Sequence, residues 1–162
     1  MAISIRDARR SDDDAIWSII GPAFQGGLTY PIPRDISRPE ALAYWRSPGH
    51  VVYVAEQDGD VVGSYYLRAN QRGGGAHVAN CGYIVALVES GRGIARAMCL
   101  HSIDEARRIG FTAMQFNFVV ATNERAVKLW ESCGFKIVGT LPGVFQHPTR
   151  GFVDAHVMHR ML

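Results

Sequence analysis

Between His77 and Ala106 the hydrophobic pattern changes its period, and the change falls on Gly91-Arg92-Gly93. His77 to Val88 reads as a long strand, and beyond the glycines Ile94, Ala97, Met98 and Leu100 to Ala106 follow helical spacing. A strand that passes through a glycine loop straight into a helix turns several backbone N–H groups, and the positive end of the helix dipole, toward one spot. An anion belongs there. Glycine lets a phosphate come against the backbone itself, small Ala95 lets the helix begin close to the ligand, and Arg92 and Arg96 can add charge. The loop lacks the Gly-Lys-Ser/Thr of a Walker loop and the GxGxxG spacing of a dinucleotide fold. Taken alone, it is also compatible with a plain tight connection.

The rest of the chain alternates in the same way. Ile3, Ile5 and Ala8 predict a first strand, and Ser11 with Asp14 has the form of a capping box opening a helix over Ala15 to Ile20. Gly21 to Pro39 carries Pro22, Pro31, Pro33 and Pro39 with Gly26 and Gly27, which predicts a loop region, with a helical piece around Glu40 to Trp45 and Pro48 just beyond it. Val51 to Glu56 and Val61 to Leu67, joined by Asp58-Gly59-Asp60, predict a hairpin, and Gln71 to Gly75 is glycine-rich. After Gly110 come a strand (Ala113 to Val120), a helix (Asn123 to Ser132) closed by Gly134, and two last strands, Lys136 to Leu141 and Val153 to Met161. The order β, α, α, β, β, β, α, β, α, β, β has no internal repeat and no dividing linker, so residues 1–162 are expected to form a single α/β domain with one mixed layer.

Composition narrows the function. At 162 residues and 48% hydrophobic, the chain can bury a core without staples. A net charge of +2 is too weak a bias for nucleic acid as the main partner. Cys81, Cys99 and Cys133 are odd in number and widely spaced, which argues against a disulfide framework or a zinc site. His156 and His159 fall on opposite faces of a strand, so no metal is expected. No apolar run approaches a membrane span, and Met1 to Ser11 carries Arg6, Asp7, Arg9 and Arg10 where a signal peptide would be apolar. The expectation is a cytoplasmic protein with no membrane partner.

In the segment Asn123-Glu124-Arg125-Ala126-Val127-Lys128-Leu129-Trp130, followed by Cys133-Gly134-Phe135, the residues Asn123, Ala126, Val127 and Trp130 share one helical face. By itself this describes an amphipathic helix with an asparagine cap and a core tryptophan. Paired with the glycine loop in this order, it is far more specific. Ser90-Gly91-Arg92-Gly93-Ile94-Ala95 is similar to the Arg/Gln-x-x-Gly-x-Gly/Ala pattern of the GCN5-related N-acetyltransferase (GNAT) superfamily, and Asn123-x-x-Ala126-x-x-Leu129-Trp130-x-x-x-Gly134-Phe135 to its Asn-x-x-Ala-x-x-Leu-Tyr-x-x-x-Gly-Phe. The resemblance implies a GNAT fold, with a mixed sheet of about six or seven strands split between the fourth and fifth and flanked by about four helices. It implies transfer of an acetyl group from acetyl-CoA, as co-substrate, to the amine of a small molecule. The coenzyme would lie along Tyr83, Val85, Gly91, Arg92, Gly93, Ile94, Ala95, Arg96, Asn123 and Trp130.

Two positions depart from the pattern. Ser90 replaces a long polar side chain, and Trp130 replaces the tyrosine that many members use as general acid, although an indole N–H cannot give up its proton at working pH. Within the superfamily, His77, Asn80, Gly82, Asn117, Asn123, Val153-Asp154-Ala155, Tyr30-Pro31, Tyr44-Trp45 and Gly63 to Asn70 resemble the yeast acetyltransferase of proline analogues such as azetidine-2-carboxylate. That likeness suggests an amino or imino acid acceptor near Tyr30, Tyr66, His77 and Asn80. Tyr65 and Tyr66 alternate across a strand, so one can face the acceptor while the other packs.

Aminolysis of a thioester needs a neutral amine and a polarised carbonyl. An α-amino group titrates near pH 8, so a useful fraction is neutral without a strong protein base. Asn80, Asn117 and Asn123 cannot titrate but can position water or grip a substrate carboxylate, and catalysis is expected to rest on them through positioning. A covalent route through Cys133 would need a nearby base. Two other readings stay open at this point: a non-catalytic acyl-CoA sensor, for which Ser90 and Trp130 would be natural losses, and a peptide or protein acetyltransferase, which a cap formed by the proline-rich loop would disfavour. Homodimer formation is left open.

Overall fold

The computed structural model describes residues 2–162, so Met1 of the opening stretch lies outside the described residues. Seven strands form one sheet: β1 (Ser4–Asp7), β2 (Val51–Gln57), β3 (Asp60–Ala69), β4 (Val78–Val85), β5 (Ala113–Val120), β6 (Lys136–His147) and β7 (Gly151–Met161). Their order is β1-β2-β3-β4-β5-β7-β6, with every pair antiparallel except β4 and β5. The β2–β3 hairpin turns through Asp58 (φ 54°) and Gly59 (φ 90°), the two left-handed residues that match the twist of the flanking strands.

Side chains alternate across the sheet and build two cores. Val52 and Val54 face α1 (Asp13–Gly26) and α2 (Arg38–Trp45), packing with Ile16, Ile20, Phe24 and Trp45. Tyr53 and Ala55 face α3 (Ile94–Ile109) and α4 (Glu124–Ser132), packing with Met98, Ile103 and Trp130. Helices therefore cover both faces.

The expected element order holds, but several boundaries move. Ser11 does not cap α1: residues Arg10–Asp12 form a short 3₁₀ turn, and the Asp12 carboxylate accepts the Arg9 N–H at 2.6 Å. The capping box lies instead at α2, where the Ser37 N–H donates to Glu40 at 2.9 Å. α1 runs on through Pro22 because burial of Ile19, Ile20 and Phe24 on either side of it outweighs the lost backbone bond. β4 ends at Val85, three residues short of the expected Val88, and Leu87–Glu89 leaves the sheet as a 3₁₀ turn. β6 continues past Leu141 through Pro142 because a register shift there lets Gly143, at φ 61°, donate its N–H to Asp154 at 2.9 Å.

Candidate active site

The parallel pair β4–β5 is joined only at its start, through Val78↔Ala113 and Ala79↔Met114, and beyond these residues the two strands part. Asn80 stands at the fork. Its side-chain N–H donates to the Gln115 carbonyl at 2.9 Å, replacing the bond that a continuing ladder would have made, and its Oδ1 accepts from Arg68 Nε at 3.2 Å. Just past the end of β4, Ala86 donates its N–H to Val62 of β3. Alternation along an antiparallel strand then turns the N–H and C=O groups of Val85 and Tyr83 the other way, into the split.

Two clefts open on this split and share Tyr83, Asn123, Ala126 and Trp130. The larger, about 530 Å³, runs along Val85, Gly91, Gly93, Ile94, Ala95 and Arg96. Gly91 (φ 88°) and Gly93 (φ 81°) adopt the left-handed conformation that glycine takes without strain. Gly93 is the N-cap of α3, so the first amides of that helix have no carbonyl one turn back and point outward. Free amides at a helix start beside two left-handed glycines make a cradle whose chemistry suits a phosphate or diphosphate group. Of the residues assigned to the coenzyme from the sequence, Arg92 is the exception: its guanidinium pairs with Glu89 at 2.8 Å and does not line the cleft.

The smaller cleft, about 220 Å³, is lined by Thr29, Tyr30, Pro31, Tyr44, Tyr66 and Phe118, together with Asn80, Asn117 and Arg68. The loop after α1 reaches over it, and the Tyr30 hydroxyl donates to the Tyr83 carbonyl at 3.2 Å. Tyr66 is the residue of its pair that faces this cleft, whereas Tyr65 packs in the core and bonds His101 at 2.7 Å. Asn117 donates to Asn70 at 2.6 Å and accepts from Gln115 at 2.9 Å, so its amide is held at a fixed angle. His77 lies outside both clefts, on an exposed turn before β4, where only its carbonyl is engaged, by Thr112.

Titration in the smaller cleft is suppressed. Burial pushes the Tyr30, Tyr66 and Tyr83 phenols well above their ordinary range, which makes them hydrogen-bond donors at working pH. Cys81, a lining residue that was not expected, has its thiol pushed up to about 12 by burial and is no nucleophile. Cys133 lies outside both clefts. Among the described residues Arg68 is the one charged side chain that lines the smaller cleft, and no carboxylate pairs with it. Its field helps, after burial, to lower the pKa of nearby His50. Arg68 was legible as the single cation in β3, a strand that is otherwise nearly all buried. Among the described residues no group of His, Cys, Asp or Glu is placed to hold a metal ion.

A split sheet with free helix-start amides on one side and a small aromatic-walled cleft on the other has room for two ligands that meet at the split. The comparisons agree. Residues 14–135 match the Acetyltransferase (GNAT) family, and the chain belongs to that family. It is 33% identical to the L-amino acid N-acetyltransferase AaaT of Escherichia coli over 98% of both chains. It is 30% identical to the N-acetyltransferase aca1 of Schizosaccharomyces pombe, over 81% of this chain and 71% of that one. Among solved structures, a GCN5-related N-acetyltransferase from Kribbella flavida superposes with a TM-score of 0.94 at 44% identity, covering 99% of this chain and 98% of that one. The Salmonella typhimurium acetyltransferase yncA, solved with its cofactor acetyl-CoA, superposes at 0.87 with 25% identity, covering 100% and 95%. The protein is an acetyl-CoA-dependent N-acetyltransferase, which sets aside the sensor reading.

Proposed function

We propose that the acceptor is a small α-amino or imino acid, held by its carboxylate at Arg68 with Asn80 and Asn117 beside it. The observation that carries this reading is the lone guanidinium on the wall of a cleft that contains no acid. Such a site attracts a carboxylate and repels a second ammonium, which favours amino acids over diamines. The name of the Escherichia coli relative, an L-amino acid N-acetyltransferase, supports the same class. The volume of about 220 Å³ and the cap formed by Thr29 to Pro31 support a small molecule over a peptide.

In this reading acetyl-CoA, when bound, supplies the activated acyl group, with its phosphates at residues 91 to 96 and its pantetheine arm in the split. Tyr83 and Val85 offer main-chain hydrogen bonds there, and Asn123 and Trp130 wall the junction. Arg68 lowers the proton affinity of the amine, the asparagines fix its approach, and no side chain at the junction acts as a strong base.

Release of thiol from acetyl-CoA, measured with paired acceptors that differ only in the carboxylate (proline and pyrrolidine, leucine and its decarboxylated amine), tests the proposal. Amino acids should be preferred by about 10- to 100-fold in kcat/KM, and Arg68→Gln should erase most of that preference. Equal rates within each pair would overturn it.

A further inference from the structure

Position 90 carries serine where the family resemblance expects a long polar side chain, and the structure shows what occupies that space. Arg125, in the first turn of α4, donates from Nη1 to the Ser90 hydroxyl at 3.0 Å. Its other terminal nitrogen lies 2.9 Å from the point that a Cβ on Gly91 would take. A guanidinium therefore rests directly on the first glycine of the phosphate cradle, delivered from a different helix.

The neighbouring cations are otherwise engaged. Arg92 pairs with Glu89, and Arg96 donates to the Ser132 hydroxyl at 2.8 Å. Arg125 has no acidic partner among the described residues, and it lines the larger cleft with Lys128 one turn further on. Of its five N–H donors, one is given to Ser90, which sets the plane of the fork and leaves the outer edge free for a phosphate.

We propose that Arg125 is a coenzyme-positioning residue that takes over from position 90: anchored by Ser90, its guanidinium grips the diphosphate of acetyl-CoA at Gly91 to Gly93. The arrangement explains how the chain keeps its hold on the coenzyme with a short residue at position 90. Arg125→Ala should weaken coenzyme binding, and a long cation restored at position 90 should compensate.

The proposal rests on placing the coenzyme at residues 91 to 96, and the experiment separates the two claims. Affinities of the full chain for coenzyme A and for dephospho-coenzyme A, which keeps the diphosphate and lacks the ribose phosphate, are measured by calorimetry. The variants are Arg125→Ala, Arg125→Lys, Ser90→Arg with Arg125→Ala, and Gly93→Glu. Arg125→Ala should cost about tenfold for both ligands, flatten the salt dependence and raise KM for acetyl-CoA more than it lowers kcat. Arg125→Lys should recover part of the loss, and Ser90→Arg should recover most of it. Unchanged affinity in Arg125→Ala, a loss seen only with coenzyme A, or no rescue from Ser90→Arg would each overturn the role of Arg125. If Gly93→Glu still binds coenzyme normally, the placement at the glycine loop fails as well.

Discussion

Gly82→Ala should damage the acceptor cleft through one ring. A Cβ at position 82 would stand 2.6 Å from Cε1 of Tyr66 and 2.8 Å from its Cζ and hydroxyl. Ordinary carbon contacts lie at about 3.5 to 4.0 Å, so the ring would have to retreat by roughly 1 Å. It has nowhere to go: Trp45 packs against it at 5.0 Å between centroids, His50 stacks on it at 4.1 Å, and the Tyr44 hydroxyl is 3.4 Å from its own. Overpacking of this kind costs about 1 to 3 kcal/mol, slightly offset by the better fit of alanine to a strand. Urea unfolding should show that loss, and KM for the acceptor should rise because Tyr66 and Gly82 both line its cleft. Affinity for acetyl-CoA should hold, because neither residue lines the larger cleft. In a Tyr66→Leu background, which removes the ring, the same alanine should cost little or nothing. An equal cost in both backgrounds would refute the steric account.

Two further outcomes follow from buried polar groups. The Asp12 carboxylate accepts N–H bonds from Arg6 at 2.8 and 2.9 Å and from the Arg9 backbone, which lower its pKa to about 2. Its folded value is thus below the unfolded one, so its contribution is present above about pH 4 and is lost as pH falls toward 2; Asp12→Asn should cost about 2 kcal/mol at pH 7, with a gap that closes in acid urea melts, and a gap independent of pH between 2 and 6 would refute it. Cys81, Cys99 and Cys133 are all buried, and at pH 8 a Cys81 thiol with a pKa of about 12 is ionised only about once in 10⁴ molecules, so Ellman's reagent should label the native protein only at its unfolding rate. Rapid labelling of one native thiol would show that the packing around it is wrong.

The change of hydrophobic period at Gly91-Arg92-Gly93 and the Asn123 to Phe135 segment made the fold and the lining of the larger cleft legible, because both rest on local geometry. Glycines that permit a left-handed turn, a helix start that leaves amides free, and small residues at one helical face can all be read within a few residues of each other. Boundaries that depend on distant partners were not legible in the same way. Burial of neighbours carries α1 through Pro22, and a bulge against β7 carries β6 through Pro142. The fork at Asn80 also depends on a distant partner, since it forms only because β5 pairs for two residues and then leaves.

The acceptor side shows the same division. From the sequence, Asn80, Asn117, Tyr30 and Tyr66 could be named as polar or aromatic residues with a use, and all four line one cleft. His77 was named on the same grounds and stands outside it. Arg125 looks like an ordinary surface cation in a linear reading, and Arg68 is marked only as the single cation of its strand. Tertiary structure alone decides that Arg68 lines the smaller cleft with no acid opposite it among the described residues, and that Arg125 crosses from α4 to Ser90. The physical reason is that backbone conformation is set by near neighbours, whereas the field at a charged group is set by everything the fold brings around it.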